Sequence, residues 1–169
     1  MHYPSALFRD PDDPTESLER GQQRKVDAIL DRLGLKDGGS LLEIGCGWGG
    51  LAEQAMARCR ISYDGLTLSA EQAAYARERL GPGANILLTD YRDVQGQFDA
   101  IASVEMVEAV GQEYWPAYLG AISRLLKPGG RAAIQYILID DAIFGKYARR
   151  ADFIQTYILP GGMLISLSR

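Results

Sequence analysis

Apolar positions along this chain follow two periods in turn. Leu18, Val26, Ile29, Leu30 and Leu33 recur at spacings of three, four and their sums, which predicts a helix from Thr15 that ends at Gly34 and the Asp37-Gly38-Gly39 turn. Leu41-Leu42-Glu43-Ile44 is a short buried strand that breaks into Gly45-Cys46-Gly47-Trp48-Gly49-Gly50, and Leu51, Ala52, Ala55 and Met56 then give a second helix its buried face. A strand over 61–68 follows, then a helix from Ser69 carrying Ala73, Ala74 and Ala76 to about Gly81-Pro82-Gly83. Ile86-Leu87-Leu88 predicts a third strand closing on Thr89-Asp90-Tyr91, and residues 98–104 a fourth. A helix through Tyr118, Leu119, Ile122, Leu125 and Leu126 stops at Lys127-Pro128-Gly129-Gly130, and a fifth strand occupies 131–139.

Strands alternating with helices imply a doubly wound α/β fold, because each parallel connection needs a crossover. Ligands of such sheets bind outside the carboxyl ends of the strands. The residues to inspect are therefore 45–49, 67–72, 90–92, 105–108 and 135–141. The glycines after the first strand admit positive φ and close approach of a ligand, and the helix that follows presents free N–H groups. By itself that turn suits a nucleotide-type ligand or a merely structural bend equally well. A nicotinamide dinucleotide would call for an acid at the end of the second strand, where the chain has Thr67-Leu68-Ser69; Asp64 lies inside the strand.

Composition narrows the picture a little. At 169 residues, 47% hydrophobic and 24% charged, the chain reads as one globular domain, residues 15–169, preceded by a polar arm over 1–14. A net charge of −4 makes nucleic acid an unsuitable default partner. Cys46 and Cys59 lack metal-ligand spacing, so no metal site is expected, and with no signal pattern in Met1-His2-Tyr3-Pro4 the expected compartment is the cytoplasm.

Several motifs carry a resemblance together. Leu42-Glu43-Ile44-Gly45-Cys46-Gly47-Trp48-Gly49-Gly50, Gly65-Leu66-Thr67-Leu68-Ser69-Ala70-Glu71-Gln72, Asp90-Tyr91-Arg92-Asp93-Val94, Glu105-Met106-Val107-Glu108 and Phe153-Ile154-Gln155-Thr156-Tyr157-Ile158-Leu159-Pro160-Gly161-Gly162 occur in that order. The set resembles the cyclopropane-fatty-acyl-phospholipid and mycolic-acid cyclopropane synthases, class I S-adenosylmethionine (SAM) methyltransferases; residues 3–8 resemble that family's N-terminal arm. The implied fold is Rossmann-like and mostly parallel, with about five strands and without the last two of the usual seven.

The resemblance implies that Gly45, Cys46 and Gly47 line the methionine part of SAM, with Thr67, Leu68 and Ser69 as a wall and Gln72 on the ribose hydroxyls. Ser69-x-x-Gln72 also reads as a plain capping box. Asp90 would accept the adenine amino group with Tyr91 on the ring, or else cap its own turn. Arg92 and Val104 complete the cofactor set, and Tyr3 and Pro4 would close over it. The implied reaction is attack of an acyl double bond on the SAM methyl group, followed by proton loss to a bound bicarbonate. Glu108 falls on the bicarbonate-site glutamate, although a helix-start carboxylate is an equally physical reading. Ser5 stands for the usual cysteine, Gln135 for a histidine, Ala109 for another histidine, and Ile137 offers its backbone.

The expected partner is a phospholipid acyl chain or a membrane surface, met at the inner membrane face by Lys146, Arg149 and Arg150, although such a cluster is more often a solvated helix face. If the chain is complete, the fifth strand is an edge, and a homodimer through it is expected. Two rival functions are a small-molecule amine methyltransferase and a SAM-binding module completed by another polypeptide.

Overall fold

The computed structural model describes residues 5–10, 12, 15–149, 153, 156–157 and 162–168. Five parallel strands form one sheet: β1 (Ser40–Ile44), β2 (Ser62–Thr67), β3 (Ala84–Leu88), β4 (Phe98–Val104) and β5 (Leu126–Gln135), in the order β3-β2-β1-β4-β5. The order reverses between β1 and β4, so the carboxyl ends of these two strands frame the topological switch point.

Both faces are covered, and strand alternation decides what goes where. Leu41, Tyr63, Ala100 and Ala102 join a core with Val26, Ile29, Leu30 and Leu33 of α1 (Leu18–Leu33), with α2 (Gly50–Arg58) and with α3 (Ala70–Leu80). Leu42, Ile44, Leu66 and Ile101 point the other way, against Tyr118, Ile122 and Leu125 of α4 (Trp115–Leu125). The β3-to-β4 connection is a loop whose Tyr91 and Val94 enter the second core directly. A short α5 (Asp141–Tyr147) follows β5. No helix among the described residues is long and apolar enough to cross a membrane.

Several details differ from the sequence reading. Helix α1 begins at Leu18, because Ser17 accepts a hydrogen bond from the Arg20 amide and caps it; Leu18, assigned to the buried face, is 54% exposed. Leu119 is likewise 54% exposed, one position off the stripe of Tyr118, Ile122 and Leu125. β5 starts at Leu126 and ends at Gln135, so Pro128 lies within a strand. It is tolerated there because β5 is an edge and the pairing with β4 is interrupted, jumping from Phe98↔Leu126 to Ala100↔Arg131. Beyond β5, Leu138 bridges Ile165 in parallel.

The arm is anchored on α1. Leu7 donates its amide to the Gly21 carbonyl at 3.0 Å and accepts from Arg24 at 2.7 Å. Gly21 is what allows this approach: a Cβ there would sit 3.0 Å from that of Ala6. Ser5 is thereby delivered to the carboxyl end of β4.

Candidate active site

The turn after β1 is built from backbone. Gly45, Gly47 and Gly49 have φ of 82°, 53° and 78°, which a side chain would strain. Gly45 has a second reason, since a Cβ there would lie 2.5 Å from Met106 Cγ. The Gly45 and Cys46 amides both donate to the Leu66 carbonyl, at 3.0 and 2.8 Å. These two amides therefore tie the turn to β2, while both residues still line the cavity. Among the described residues the Gly47 and Trp48 amides have no partner, the Gly49 amide donates to the Cys46 carbonyl at 3.0 Å, and the first turn of α2 presents the unpaired amides of any helix start. The Cys46 thiol is pushed up to about 12 by burial and is no nucleophile.

Beneath the turn lies a residue that sequence reasoning quoted but gave no role. Glu43 is 3% exposed and accepts a 2.6 Å hydrogen bond from Tyr63. Burial pushes its carboxyl up to about 8, the Tyr63 hydroxyl working against that shift. Gly65 makes room for the pair: a Cβ there would come within 2.6 Å of the Tyr63 oxygen. An acid in a fully apolar strand core was the available signal.

At the end of β2 the capping box is half formed. Ser69 Oγ accepts from the Gln72 amide at 3.2 Å, but the Gln72 side chain does not turn back. Its Oε1 accepts from Thr67 Oγ1 at 2.8 Å, and Thr67 Oγ1 accepts from the Ser69 amide at 3.1 Å. The amide end of Gln72 is thus held at the cavity wall. Asp90 caps its turn by accepting from the Arg92 amide at 2.9 Å and pairs with the Arg92 guanidinium at 2.8 Å, which holds its carboxyl below the usual range. The Tyr91 ring is buried edge-on against Tyr118, centroids 5.5 Å apart.

Two of the residues assigned to the reaction, Ser5 and Gln135, converge, but on a different carboxylate. Ser5 Oγ, the Ser5 amide and Gln135 Nε2 all donate to Glu105 Oε1, at 2.8, 3.1 and 3.1 Å. Glu105 has φ of 50°, the one left-handed non-glycine residue among those described, at a cost of roughly 1 kcal/mol or more. Its amide donates to the Gln135 carbonyl at 2.8 Å. Glu108 lies behind, 4% exposed, accepting from the Ile137 amide at 2.5 Å, and burial raises its pKa. The donors expected for bicarbonate are therefore engaged by the protein's own carboxylates, and the residues present do not fit that anion.

One cavity of about 860 Å³ joins these parts. Within the described residues it is lined by every predicted cofactor contact: Gly45, Cys46, Gly47, Thr67, Leu68, Ser69, Gln72, Asp90, Tyr91, Arg92 and Val104. Tyr3 and Pro4 lie outside the described residues. Ser5, Gln135, Ile137 and Glu108 do not line it; Glu105 does. So does Lys25 of α1, 6% exposed, its ammonium unpaired among the described residues. Burial lowers the Lys25 pKa while Glu105 pulls it up, an acid and a base facing one chamber.

A central strand that ends in a glycine turn at the switch point, above a cavity of nucleoside size, is the arrangement of Rossmann-like class I methyltransferases. The chain belongs to the mycolic acid cyclopropane synthetase family, whose profile matches residues 1–169. It is 42% identical to a tuberculostearic acid methyltransferase of Mycobacterium tuberculosis, over 98% of this chain and 41% of that protein. It is 41% identical to the cyclopropane-fatty-acyl-phospholipid synthase of Escherichia coli, over 99% and 42% respectively. A mycolic acid cyclopropane synthase crystallised with SAH and CTAB superposes with a TM-score of 0.87 at 29% identity, over 99% of this chain and 62% of that one. The chain thus spans about two fifths of the length of these two curated relatives.

Proposed function

We propose that this chain binds SAM in the cavity above β1 and transfers its methyl group to the double bond of an unsaturated phospholipid acyl chain. The observation that carries this reading is the single cavity in which a polar end, built by Gly47, Gln72 and Asp90, meets an apolar stretch of Ile44, Leu66, Val104, Met106 and Val110. The polar end suits a nucleoside and an amino acid; the apolar stretch suits an acyl chain and excludes water from a cationic reaction path. Exposed Tyr136, Ile137, Leu138 and Ile143, beside Lys146 and Arg149, support contact with a lipid surface.

Bound SAM supplies a methyl group on a positively charged sulfur. The chain's own residues hold and shield it: the Gly47 amide and the α2 N-terminus suit the amino-acid carboxylate, and the Gln72 amide and Asp90 suit ribose and adenine. Calorimetry with SAM tests the binding, and lipid mass spectrometry of cells expressing the chain tests the transfer. The expected result is micromolar binding and unsaturated phospholipids heavier by one CH₂. No binding at millimolar SAM removes the reading; binding without a mass gain removes the acyl substrate and leaves a SAM-binding module.

A further inference from the structure

Glu105 collects more constraints than a surface carboxylate needs. Three hydrogen bonds from Ser5 and Gln135 fall on Oε1, and Oε2 has no partner among the described residues. Its backbone is in the left-handed region, fixed by the Gln135 carbonyl, so the fold tolerates strain to place this side chain. It lines the cavity at the end of β4, between the glycine turn and the apolar wall, whereas Glu108 is engaged behind it by the Ile137 amide. Lys25 lines the same chamber, its ammonium unpaired among the described residues.

We propose that the Glu105 carboxylate is the proton acceptor of the site, so that the chain carries its own base where Ser5 and Gln135 were expected to hold a dissolved bicarbonate. The inference rests on the methyl-transfer reading above. In the reaction the alkene π pair forms the bond to the methyl carbon, the carbon–sulfur pair stays on sulfur as a neutral thioether, and a carbocation is left on the neighbouring acyl carbon. Glu105 then takes a proton from the new methyl or from an adjacent carbon. The freed C–H pair closes a ring or a double bond, and Glu105 ends as a neutral acid. No oxidant or reductant enters. Before that step the same negative charge stabilises the cation, and three donors on one oxygen fix its position in advance.

Two variants and two readouts test this. Glu105→Gln keeps the size and an acceptor; Glu105→Gly suits the φ of 50° and empties the space. Turnover of an unsaturated phospholipid should fall at least ~100-fold in both, with SAM affinity within ~3-fold of wild type. Wild-type turnover should be unchanged in carbon dioxide-depleted buffer, and formate or bicarbonate should restore part of the Glu105→Gly rate. Independently of turnover, the ¹³C resonance of bicarbonate should broaden with Glu105→Gly, whose Ser5 and Gln135 donors are released, and not with wild type. Wild-type protein that binds bicarbonate, loses turnover on its depletion, or keeps more than a third of its rate as Glu105→Gln overturns the assignment. SAM binding by wild type without methyl transfer, alongside no bicarbonate binding by Glu105→Gly, removes both the function and the base.

Discussion

The two sides of the cavity are made by different means. The side formed by β1, β2 and β3 is backbone: glycines at positive φ, amides tied to the Leu66 carbonyl, a serine cap and an aspartate closing its own turn. The side formed by β4 and β5 is side chain, assembled on a strained Glu105 by Ser5, one hundred positions away, and by Gln135, thirty away. On the first side the side chains of Glu43, Thr67, Ser69 and Asp90 all have partners, and the groups left open among the described residues are backbone amides and the Gln72 amide end. On the second, Glu108 Oε2, Gln135 Oε1 and Lys25 Nζ have none among the described residues. A binding surface can be rigid and satisfied, while a site that changes charge during a reaction needs groups held ready and not consumed.

The largest effect that would sharpen this contrast concerns Glu43, the buried acid beneath the backbone side. Its folded-state pKa of about 8 stands above the ordinary 4.5, burial being the cause. Stability from keeping it neutral is complete below the ordinary value and is lost as pH rises, because the unfolded chain has released a proton that the folded chain retains. Over the window from ~4.5 to ~8 the loss is on the order of 5 kcal/mol. Glu43→Gln keeps an acceptor for Tyr63 and should flatten this dependence. Urea midpoints across the window check it, and a wild type whose midpoint rises with pH would mean that Glu43 is ionised.

Next in size are the glycines. Gly45→Ala combines a φ of 82° with a Cβ 2.5 Å from Met106 and should destabilise by about 3 kcal/mol. Gly47→Ala has only the φ of 53° to strain and should cost about 1 kcal/mol. Adding Met106→Ala should return part of the loss to the first variant and nothing to the second. Equal losses in a denaturant series would show that the turn is limited by conformation alone.

On the side-chain side, Glu108→Ala leaves the Ile137 amide without its acceptor and should cost about 2 kcal/mol. Its turnover should fall much less than that of Glu105→Gln. A reversal of that order, with both variants folded by circular dichroism, would move the reacting carboxylate from Glu105 to Glu108.

This division also explains what the sequence disclosed. The alternating apolar periods gave five parallel strands and their helices, and the local motifs at 45–47, 67–72 and 90–92 fell together at one cavity, because each sits directly after a strand. Glu105 went unassigned because its partners are distant in the chain and its positive φ has no signature in residue type. That the Gly45 and Cys46 amides are already engaged was not legible, because their acceptor, the Leu66 carbonyl, belongs to another strand. Pro128 was read as the end of a helix through Leu126, but the helix stops at Leu125 and an edge strand beginning at Leu126 passes through the proline.

The smallest effect separates two roles that share four residues. Ser69 caps α3 through the Gln72 amide, and Ser69→Ala should cost about 1 kcal/mol of stability. Gln72 is held by Thr67 with its amide end unpartnered among the described residues, so Gln72→Ala should weaken SAM binding about tenfold, some 1.4 kcal/mol, while changing stability by less than the Ser69 variant. Calorimetry with SAM and a denaturant series on both proteins give four numbers. If Gln72→Ala loses stability and keeps its affinity, the glutamine belongs to the cap and the ribose must be recognised elsewhere on the backbone side; if the losses fall as stated, the structural and binding roles of this turn are carried by separate side chains three residues apart.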